Sequence, residues 1–337
     1  MDVKNLITKL HYQKNPEGML FWALRLASVF YGIGAELKNE LYKYKIVQPK
    51  KVSAKVVSVG NLTTGGVGKT PVVGEIAKYL KSKGQRVAIV SRGYGGKLSN
   101  KNINVISDGE TIYYGASMAG DEPYWLAKET GCVVVTSRSR YRASKYAIEK
   151  FNVDIILLDD GFQHRKLYRD VDIVLIDSVK QFGNKCQLPA GPLRESVKAL
   201  DRADSIVVVS KSTDHTEAQN FVDNLEKMYN KPAFLCKIEP DEFYNIKNNT
   251  SLAKGSRAAA VCAIGQPEQF FAFLSDFDIV KKITFDDHHI YTFDELSQIS
   301  ENIITTEKDA VKMKDFNFEN IYALRLKTKI DVEKIIK

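Results

Sequence analysis

The sequence predicts an α/β fold in which helices cover both faces of a mostly parallel sheet. Short apolar runs rich in Val and Ile alternate with helical stretches along most of the chain. Runs that stay apolar at every position are typical of strands buried on both faces, as in parallel sheets. A glycine-rich loop directly after the first run is the second observation, because such loops connect a strand to a helix in nucleotide-binding folds.

Six of these runs belong to one predicted domain, and they lie at residues 56–59, 87–90, 133–136, 154–159, 172–177 and 205–210. Three later runs predict a smaller C-terminal α/β domain, and they lie at residues 233–238, 258–264 and 321–326. A polar stretch at residues 211–230 separates the two groups. We therefore predict an N-terminal helical segment over 1–45, a P-loop core over 46–212 and a C-terminal domain over 213–337.

The charge of the chain narrows the class of partner only slightly. The 337 residues include 49 basic and 41 acidic side chains, and the net charge of +8 suits nucleic acid, an anionic membrane or phosphorylated ligands. Nucleic acid is not predicted, because the sequence has neither aromatic residues interleaved with basic ones nor a groove-reading motif. The cysteines lack CxxC spacing and predict buried thiols of a reducing compartment, and they are Cys132, Cys186, Cys236 and Cys262.

Residues 19–35 are nearly all apolar, with Arg25 and Ser28 inside the run and lysines on both sides. The run is shorter than the about 20 residues that cross a bilayer core, and it contains an arginine. A signal peptide would place its apolar run nearer the start and export the nucleotide motif from the cytosol. Two alternatives stay open: a helix that packs in the core, or an amphipathic helix in the membrane interface with Trp22 and Phe21 at headgroup depth.

A phosphate-binding loop is predicted where the first strand ends, in the sequence GNLTTGGVGKTP at residues 60–71. Glycines let backbone N–H groups close around phosphate oxygens, and the start of the next helix adds its positive dipole end. Lys69 is expected to reach the β- and γ-phosphates of ATP, and Thr70 to bind Mg²⁺. The remaining phosphate-binding candidates are Thr63, Thr64, Gly65, Gly66, Val67 and Gly68. Thr63 stands where the strict GxxxxGK[ST] pattern has its first glycine.

A second acidic motif, DDGFQH at residues 159–164, follows the strand at 154–159. Acidic strand ends in such folds hold Mg²⁺, usually through water, so Asp159 and Asp160 are the predicted metal residues. Neighbouring strand residues point to opposite faces, and Asp159 is the first choice to face the metal. The alternative is a turn or helix-cap aspartate ahead of Gly161. His164 is predicted to contact phosphate or to orient a carboxylate, with a purely structural histidine as the alternative.

Together these motifs resemble the tetraacyldisaccharide 4′-kinase family, the lipid A 4′-kinases. Seven of them occur in order: GNLTTGGVGKTP at 60–71, SRGYGG at 91–96, GDEP at 120–123, DDGFQH at 159–164, LPAGPLRE at 188–195, DHH at 287–289 and TEKDAVK at 306–312. The resemblance implies transfer of the γ-phosphate of ATP to the 4′-hydroxyl of tetraacyldisaccharide 1-phosphate. It also implies a peripheral N-terminal helix at the cytoplasmic face of the Gram-negative inner membrane, in contact with anionic lipid. Residues 213–257 carry no recognisable motif.

The resemblance and the needs of phosphoryl transfer assign further catalytic candidates beside Lys69. The attacking hydroxyl must be oriented in line and must lose its proton, and Asp121 of GDEP is the predicted base. The alternative is an aspartate at a helix start with an acidic first turn. In the DHH motif, His288 or His289 is expected to bring an imidazole to this base or to the hydroxyl, with His288 slightly preferred.

The acceptor is assigned to polar side chains of three motifs. Arg194 and Glu195 end the Pro- and Gly-rich LPAGPLRE loop, which is expected at the carboxyl edge of the sheet where ligands bind. Arg194 suits a bidentate grip on phosphate, and Glu195 suits a sugar or a metal, with a structural ion pair as the alternative. Arg92 of SRGYGG is given the same role as Arg194. Gln163 and His164 complete the predicted substrate set.

The strongest competing class is a membrane-associated partition-type P-loop ATPase, which acts as a nucleotide-dependent switch. Such proteins carry a signature lysine just before the double glycine, where this chain has Thr64. A GTPase would have an aspartate in the base-reading turn after a late strand, and Ser210-Lys211-Ser212-Thr213 lacks it. The sequence therefore favours an ATP-dependent kinase.

Overall fold

The computed structural model describes residues 3–265, 267–286 and 289–336, and side chains from residue 6 onward within those ranges. Twelve strands occur in this part of the chain. They are β1 Lys55–Asn61, β2 Val87–Ser91, β3 Asn104–Asp108, β4 Val133–Thr136, β5 Ile155–Asp159, β6 Val171–Asp177, β7 Ser205–Ser210, β8 Ala233–Asn245, β9 Arg257–Cys262, β10 Asp278–Thr284, β11 Asn302–Thr306 and β12 Ile321–Lys329.

The same ranges contain eleven α-helices and one 3₁₀ helix, at Val197–Arg202. The α-helices are α1 Val3–Tyr12, α2 Met19–Lys43, α3 Lys69–Ser82, α4 Ala116–Ala119, α5 Asp121–Thr130, α6 Arg140–Phe151, α7 Thr216–Tyr229, α8 Pro267–Ala272, α9 Phe293–Ser297, α10 Glu307–Met313 and α11 Val332–Ile335.

Compact packing divides the chain into two units. The first contains residues 1–209, 216–236 and 330–337, and the second contains residues 210–215 and 237–329. The helix α7 and the C-terminal helix α11 therefore pack with the first unit. The boundaries at residues 45 and 212 come from composition and stay a prediction.

The first unit contains the predicted parallel sheet, with strand order β7-β6-β1-β5-β2-β4-β3. All neighbouring pairs in this order are parallel except β3 and β4. The strand β1 lies between β5 and β6, so its glycine-rich loop and the end of β5 meet at the carboxyl edge. Ligands of such sheets bind at this edge.

Helices cover this sheet because its strands are apolar at nearly every position. In one core cluster, Val174 and Ile176 of β6 pack with Val222 and Leu225 of α7. Another contains Ile156 and Leu158 of β5, with Ala143 and Ala147 of α6. The predicted α/β class is confirmed.

The second unit contains the strands β10-β9-β11-β12 in that order and the part of β8 from residue 237 onward, next to β12. Its β9, β10, β11 and β12 pair in parallel, and β8 pairs antiparallel with β12. The helices α8, α9 and α10 belong to this unit.

The N-terminal helix α2 packs through one side and exposes the other. Phe21 is only 6% exposed and lies in a small cluster with Leu10, Cys186 and Ala190. The placement of Phe21 at headgroup depth is therefore wrong. Consecutive helical residues point about 100° apart, so Phe21 and Trp22 cannot both face the same surroundings.

Candidate active site

The glycine-rich loop connects β1 to α3 as predicted. Gly68 precedes the helix with φ 88° and ψ 33°, and Gly65 has φ 104°; both values lie in the region that favours glycine. Thr63 is buried and is not one of the residues with positive φ. A β-carbon is therefore accommodated where the strict motif has glycine.

Neighbouring segments hold the loop through its backbone. The N–H of Thr64 donates to the carbonyl of Pro192 at 2.8 Å, and the N–H of Arg194 donates to the carbonyl of Leu62 at 2.7 Å. The Tyr12 hydroxyl donates to the Thr64 carbonyl at 3.1 Å. The loop is thus braced from the LPAGPLRE segment and from α1.

Lys69 begins α3 and joins the phosphate loop to the DDGFQH motif. Its Nζ donates to Oδ1 of Asn61 at 3.1 Å and lies 3.5 Å from Oδ1 of Asp160. The Lys69 side chain is only 16% exposed. Its ammonium group therefore lies at the carboxyl edge of the sheet, where a phosphate-binding lysine is required.

Asp160 is held by cations. Arg194 makes a fork with it, with Nη1 2.9 Å from Oδ2 and Nη2 2.8 Å from Oδ1. Burial raises the pKa of this carboxyl, but the Arg194 hydrogen bonds and the charges of Lys69 and Arg194 bring it well below its ordinary value. Asp160 is therefore ionised, and Arg194 is oriented by it. Arg194 also contacts Asn61 and the Thr63 carbonyl.

Asp159 has the opposite environment one residue earlier. It is 3% exposed, and its Oδ2 accepts a hydrogen bond from the Ser91 hydroxyl at 3.2 Å. Its Oδ1 has no hydrogen-bond partner within the described ranges. Burial and the nearby Glu122 carboxylate raise the pKa of Asp159 above its ordinary value, while Lys69 and Arg140 oppose them.

The carboxylate oxygens at this edge fit a hydrated Mg²⁺ ion. In the described part of the chain, no three His, Cys, Asp or Glu side chains lie close enough together to form a metal cage. Mg²⁺ at nucleotide sites uses one or two protein oxygens, with water and phosphate as its other ligands. The orphaned Oδ1 of Asp159 suits this ligand set better than Asp160, whose oxygens already receive Arg194.

The GDEP motif lies at the start of α5, against the SRGYGG turn. Gly120 precedes the helix with φ 95°, and Asp121 is the first helical residue. A β-carbon on Gly120 would lie 2.6 Å from the Tyr94 carbonyl oxygen, and one on Gly96 would lie 2.6 Å from the Met118 carbonyl oxygen. Both glycines are therefore required for this close contact. Asp121 is half-buried in the acidic first turn of α5.

The remaining predicted substrate residues have different surroundings. Arg92 is exposed, whereas Gln163 donates to the Asn61 carbonyl at 3.0 Å. Burial, and then cations led by Arg140, lower the pKa of His164 to about 4, so its imidazole is neutral at neutral pH. Glu195 is buried in an ion pair with Arg202, with N–O distances of 3.0 and 3.2 Å.

The DHH motif belongs to the second unit, and Asp287 and His288 lie outside the described residues. His289 is described: its ring stacks on Phe285 with centroids 4.3 Å apart, and its Nε2 lies 3.1 Å from Oε1 of Glu295. Glu295 also completes the capping box of α9 with Thr292. His289 thus has structural contacts within its own unit.

Four further residues act at this edge through contacts that the sequence motifs do not reveal. Asn61 receives Lys69 and Arg194, and Tyr12 contacts the loop from another helix. Arg140 is 4% exposed, and its charge acts on both Asp159 and Asp160. Glu122 is part of the GDEP motif, but its effect on the pKa of Asp159 becomes visible only in the folded structure.

The strand, glycine loop, lysine and acidic strand end define a P-loop nucleotide-binding protein of the phosphotransferase kind. A family model described as Tetraacyldisaccharide-1-P 4'-kinase matches residues 20–337. The chain therefore belongs to the tetraacyldisaccharide 4′-kinase family, and the predicted resemblance is confirmed.

Curated relatives and a solved structure agree with this assignment. The tetraacyldisaccharide 4′-kinase of Desulfotalea psychrophila is 39% identical over 326 residues, covering 91% of this chain and 92% of that protein. The one of Francisella novicida is 35% identical over 340 residues, covering 97% and 100%. A crystal structure described as the "apo" form of LpxK from Aquifex aeolicus in complex with ATP has a TM-score of 0.75 and 33% identity, covering 94% of this chain and 96% of that one.

The raised pKa of Asp159 predicts a stability cost in the metal-free protein. Between the unfolded pKa and the higher native pKa of such a group, the native state binds more protons than the unfolded state. The free energy of unfolding therefore falls as the pH rises through this range. In chelator, Asp159→Asn is expected to raise the melting temperature at about pH 8 and to change it little at about pH 4.

The matched control for this measurement is Asp154→Asn. Asp154 is an exposed carboxylate paired with Arg86, and hydrogen bonds from Arg86 lower its pKa to about 2. Its substitution should not raise the melting temperature at either pH. Equal melting curves for wild type and Asp159→Asn at the higher pH would contradict the buried, orphaned carboxylate.

Proposed function

We propose that this protein transfers the γ-phosphate of ATP to the 4′-hydroxyl of an acylated disaccharide 1-phosphate in lipid A biosynthesis. The observation that carries the proposal is the position of Lys69, between Asn61 and Asp160 at the carboxyl edge of the sheet. It is supported by a family model that covers residues 20–337 and is described by this substrate.

The phosphate loop binds ATP in this proposal. Backbone N–H groups of residues 65–68 donate to the phosphate oxygens, while the Thr64 N–H is held by the Pro192 carbonyl, and Lys69 reaches the β- and γ-phosphates. Thr70 and Asp159 hold Mg²⁺, with Asp160 beside them. When bound, the ion neutralises charge that develops on the transferring phosphoryl group. Asp160 keeps Arg194 directed at the same edge.

The acceptor hydroxyl loses its proton to Asp121 in this proposal. The residue starts α5, and the next carboxylate, Glu122, is close enough to influence Asp159. The influence of its neighbour Glu122 on Asp159 supports the assignment of Asp121 to this part of the site. In the DHH motif, Glu295 and Phe285 hold the His289 ring within the second unit, and the assisting imidazole stays a prediction for His288 or His289.

The acceptor head group is assigned to the edge that carries Arg92, Gln163 and His164. A neutral His164 can accept or donate a hydrogen bond to a sugar hydroxyl. Arg194 and Glu195 were first expected to bind the acceptor directly. Because Arg194 is paired with Asp160 and Glu195 with Arg202, we propose instead that Arg194 and Glu195 shape the site around the acceptor.

The helix α2 is proposed to dock on an anionic membrane from the cytoplasmic side of a Gram-negative inner membrane. By length and composition it is also able to cross a membrane. Large apolar side chains point away from the protein at helical spacing, and they are Trp22, Leu26, Val29, Phe30, Ile33 and Leu37. Side chains on the opposite side bind the protein: Ser28 donates to the Gln187 carbonyl at 2.8 Å and Tyr31 to the Arg194 carbonyl at 3.0 Å. This division supports peripheral docking.

The test of the function is a kinase assay with labelled ATP, Mg²⁺ and tetraacyldisaccharide 1-phosphate in detergent, following label into lipid. Lys69→Ala is expected to lower turnover by at least about 10²-fold, because charge stabilisation of the transferring phosphoryl group is lost. Lys78→Ala, an exposed lysine on the same helix paired with Glu75, is the control and should retain activity. If the wild-type protein released the label as free phosphate and none entered the lipid, the result would support an ATPase switch.

Asp121→Asn is expected to lower kcat by about 10²-fold or more while ATP affinity stays within a few fold, because a base acts on the acceptor. ATP affinity is measured separately by equilibrium binding. Glu129→Gln, near the exposed end of the same helix, serves as the control. If the variant lost both ATP binding and its folded state, Asp121 would instead have the structural role of stabilising the start of α5.

Membrane docking is tested with Phe30→Asp, whose parent side chain is 69% exposed. A buried aromatic contributes about 1.5–3 kcal/mol, so partitioning onto anionic vesicles should fall by about ten-fold or more. Met228→Asp, at a 72% exposed position of α7, is the control. Flotation that Phe30→Asp leaves unchanged would contradict docking through this side of α2, whereas partial release by salt fits it.

A further inference from the structure

Thr64 is held through both of its backbone groups. Its N–H donates to the Pro192 carbonyl at 2.8 Å, and its carbonyl accepts the Tyr12 hydroxyl at 3.1 Å. The family model begins at residue 20, so α1 and Tyr12 lie outside the match. The donor of the contact with the Thr64 carbonyl, Tyr12, therefore lies outside the matched region.

The Tyr12 contact controls the direction of one amide group of the loop. A trans peptide is planar, and its C=O and N–H point in opposite directions. Because the Thr64 carbonyl points at Tyr12, the N–H of Gly65 points away from it. Gly65 has φ 104°, a conformation that glycine adopts with little cost and that leaves this peptide unit easy to rotate. Backbone N–H groups in such loops bind phosphate.

The end of α1 is itself firmly placed. His11 is buried, with Nε2 2.9 Å from the Pro189 carbonyl oxygen, and its own carbonyl accepts the Asn184 N–H at 2.8 Å. Leu10 packs with Phe21 of α2. A hydroxyl on so constrained a helix end presents its hydrogen in a fixed direction.

The surroundings of Tyr12 keep its hydroxyl protonated. Burial and then the Asp177 carboxylate raise the pKa of Tyr12 above its ordinary value. The Lys180 ammonium group lies 4.9 Å from the ring centroid and holds the ring by a cation–π contact. The phenol therefore remains a donor throughout the pH range of an assay.

From this geometry we infer that Tyr12 is a positioning residue of the nucleotide site: it orients the Thr64–Gly65 peptide so that the Gly65 N–H faces the phosphates of a nucleoside triphosphate. The inference rests on the nucleotide site of the proposed function. It assigns α1 a role in ATP binding, separate from the docking of α2 on lipid.

The test is Tyr12→Phe in the full-length chain, which keeps the ring and removes the hydroxyl. Affinity for ATP, measured by equilibrium binding without acceptor, and the KM for ATP should weaken by about three- to ten-fold, the range of one hydrogen bond. The KM for the acceptor and flotation with vesicles should stay unchanged. Tyr44→Phe, at the exposed end of α2, is the control.

The outcomes separate this inference from the proposed function. An unchanged KM for ATP in Tyr12→Phe, or an equal loss for ATP and acceptor, would overturn the positioning role. Lys69→Ala is measured in the same binding assay. If Lys69→Ala weakens ATP binding and Tyr12→Phe does not, the inference alone fails; if neither variant weakens it, the nucleotide site itself is misplaced.

Discussion

The active site depends on the opposite environments of two adjacent carboxylates, Asp159 and Asp160. The strand β5 ends between them, and Asp160 has φ 55°, so the chain turns sharply at this point. Asp159 remains in the buried interior with one unpaired oxygen, while Asp160 turns toward Arg194 and Lys69. The carboxylate proposed to bind Mg²⁺ and the carboxylate that orients Arg194 are thereby neighbours in the chain.

This arrangement links three distant segments of the chain. Lys69 follows the phosphate loop, Asp160 follows β5, and Arg194 ends the LPAGPLRE segment. Because Arg194 also contacts Asn61, the charges lie around the end of β1. A ligand phosphate entering this edge meets cations that are already oriented, which lowers the cost of assembling the site on binding.

The sequence was most informative where strands are buried on both faces. All nine predicted strands are present. Three further strands, β3, β10 and β11, were not predicted, and they show where the sequence pattern is insufficient. The strand β10 is mostly exposed, and β3 is a short strand paired only with β4. Such strands lack the continuous apolar run on which the prediction relied. The helix α7 has its buried residues at Ala218, Val222 and Leu225, a helical spacing within a segment identified only as polar.

The motif residues of the site were predicted more completely than the partners that orient them. A local pattern identifies Lys69 and Asp159 because their chemistry follows from sequence context. It does not show that Asn61 accepts hydrogen bonds from Lys69 and Arg194, or that Arg140 and Tyr12 act on this edge, because these contacts depend on how the chain folds. The same limit applies to Arg194 and Glu195, for which the sequence left a structural ion pair as the alternative and the structure shows ion pairs with Asp160 and Arg202.

The helix α2 combines two requirements that a soluble core helix would not meet. Its inner side must bind the LPAGPLRE segment, and Ser28, Tyr31 and Asn39 do so through hydrogen bonds with Ala190, Arg194 and Glu195. Its outer side leaves a large apolar area in water, and covering it with lipid contributes about 25 cal/mol per Å². The Arg194 carbonyl accepts the Tyr31 hydroxyl, and the Arg194 guanidinium donates to Asp160, so a single residue connects α2 to the predicted metal site. If α2 docks on the membrane as proposed, an acceptor that keeps its acyl chains in the bilayer requires only its sugar head group to leave the interface.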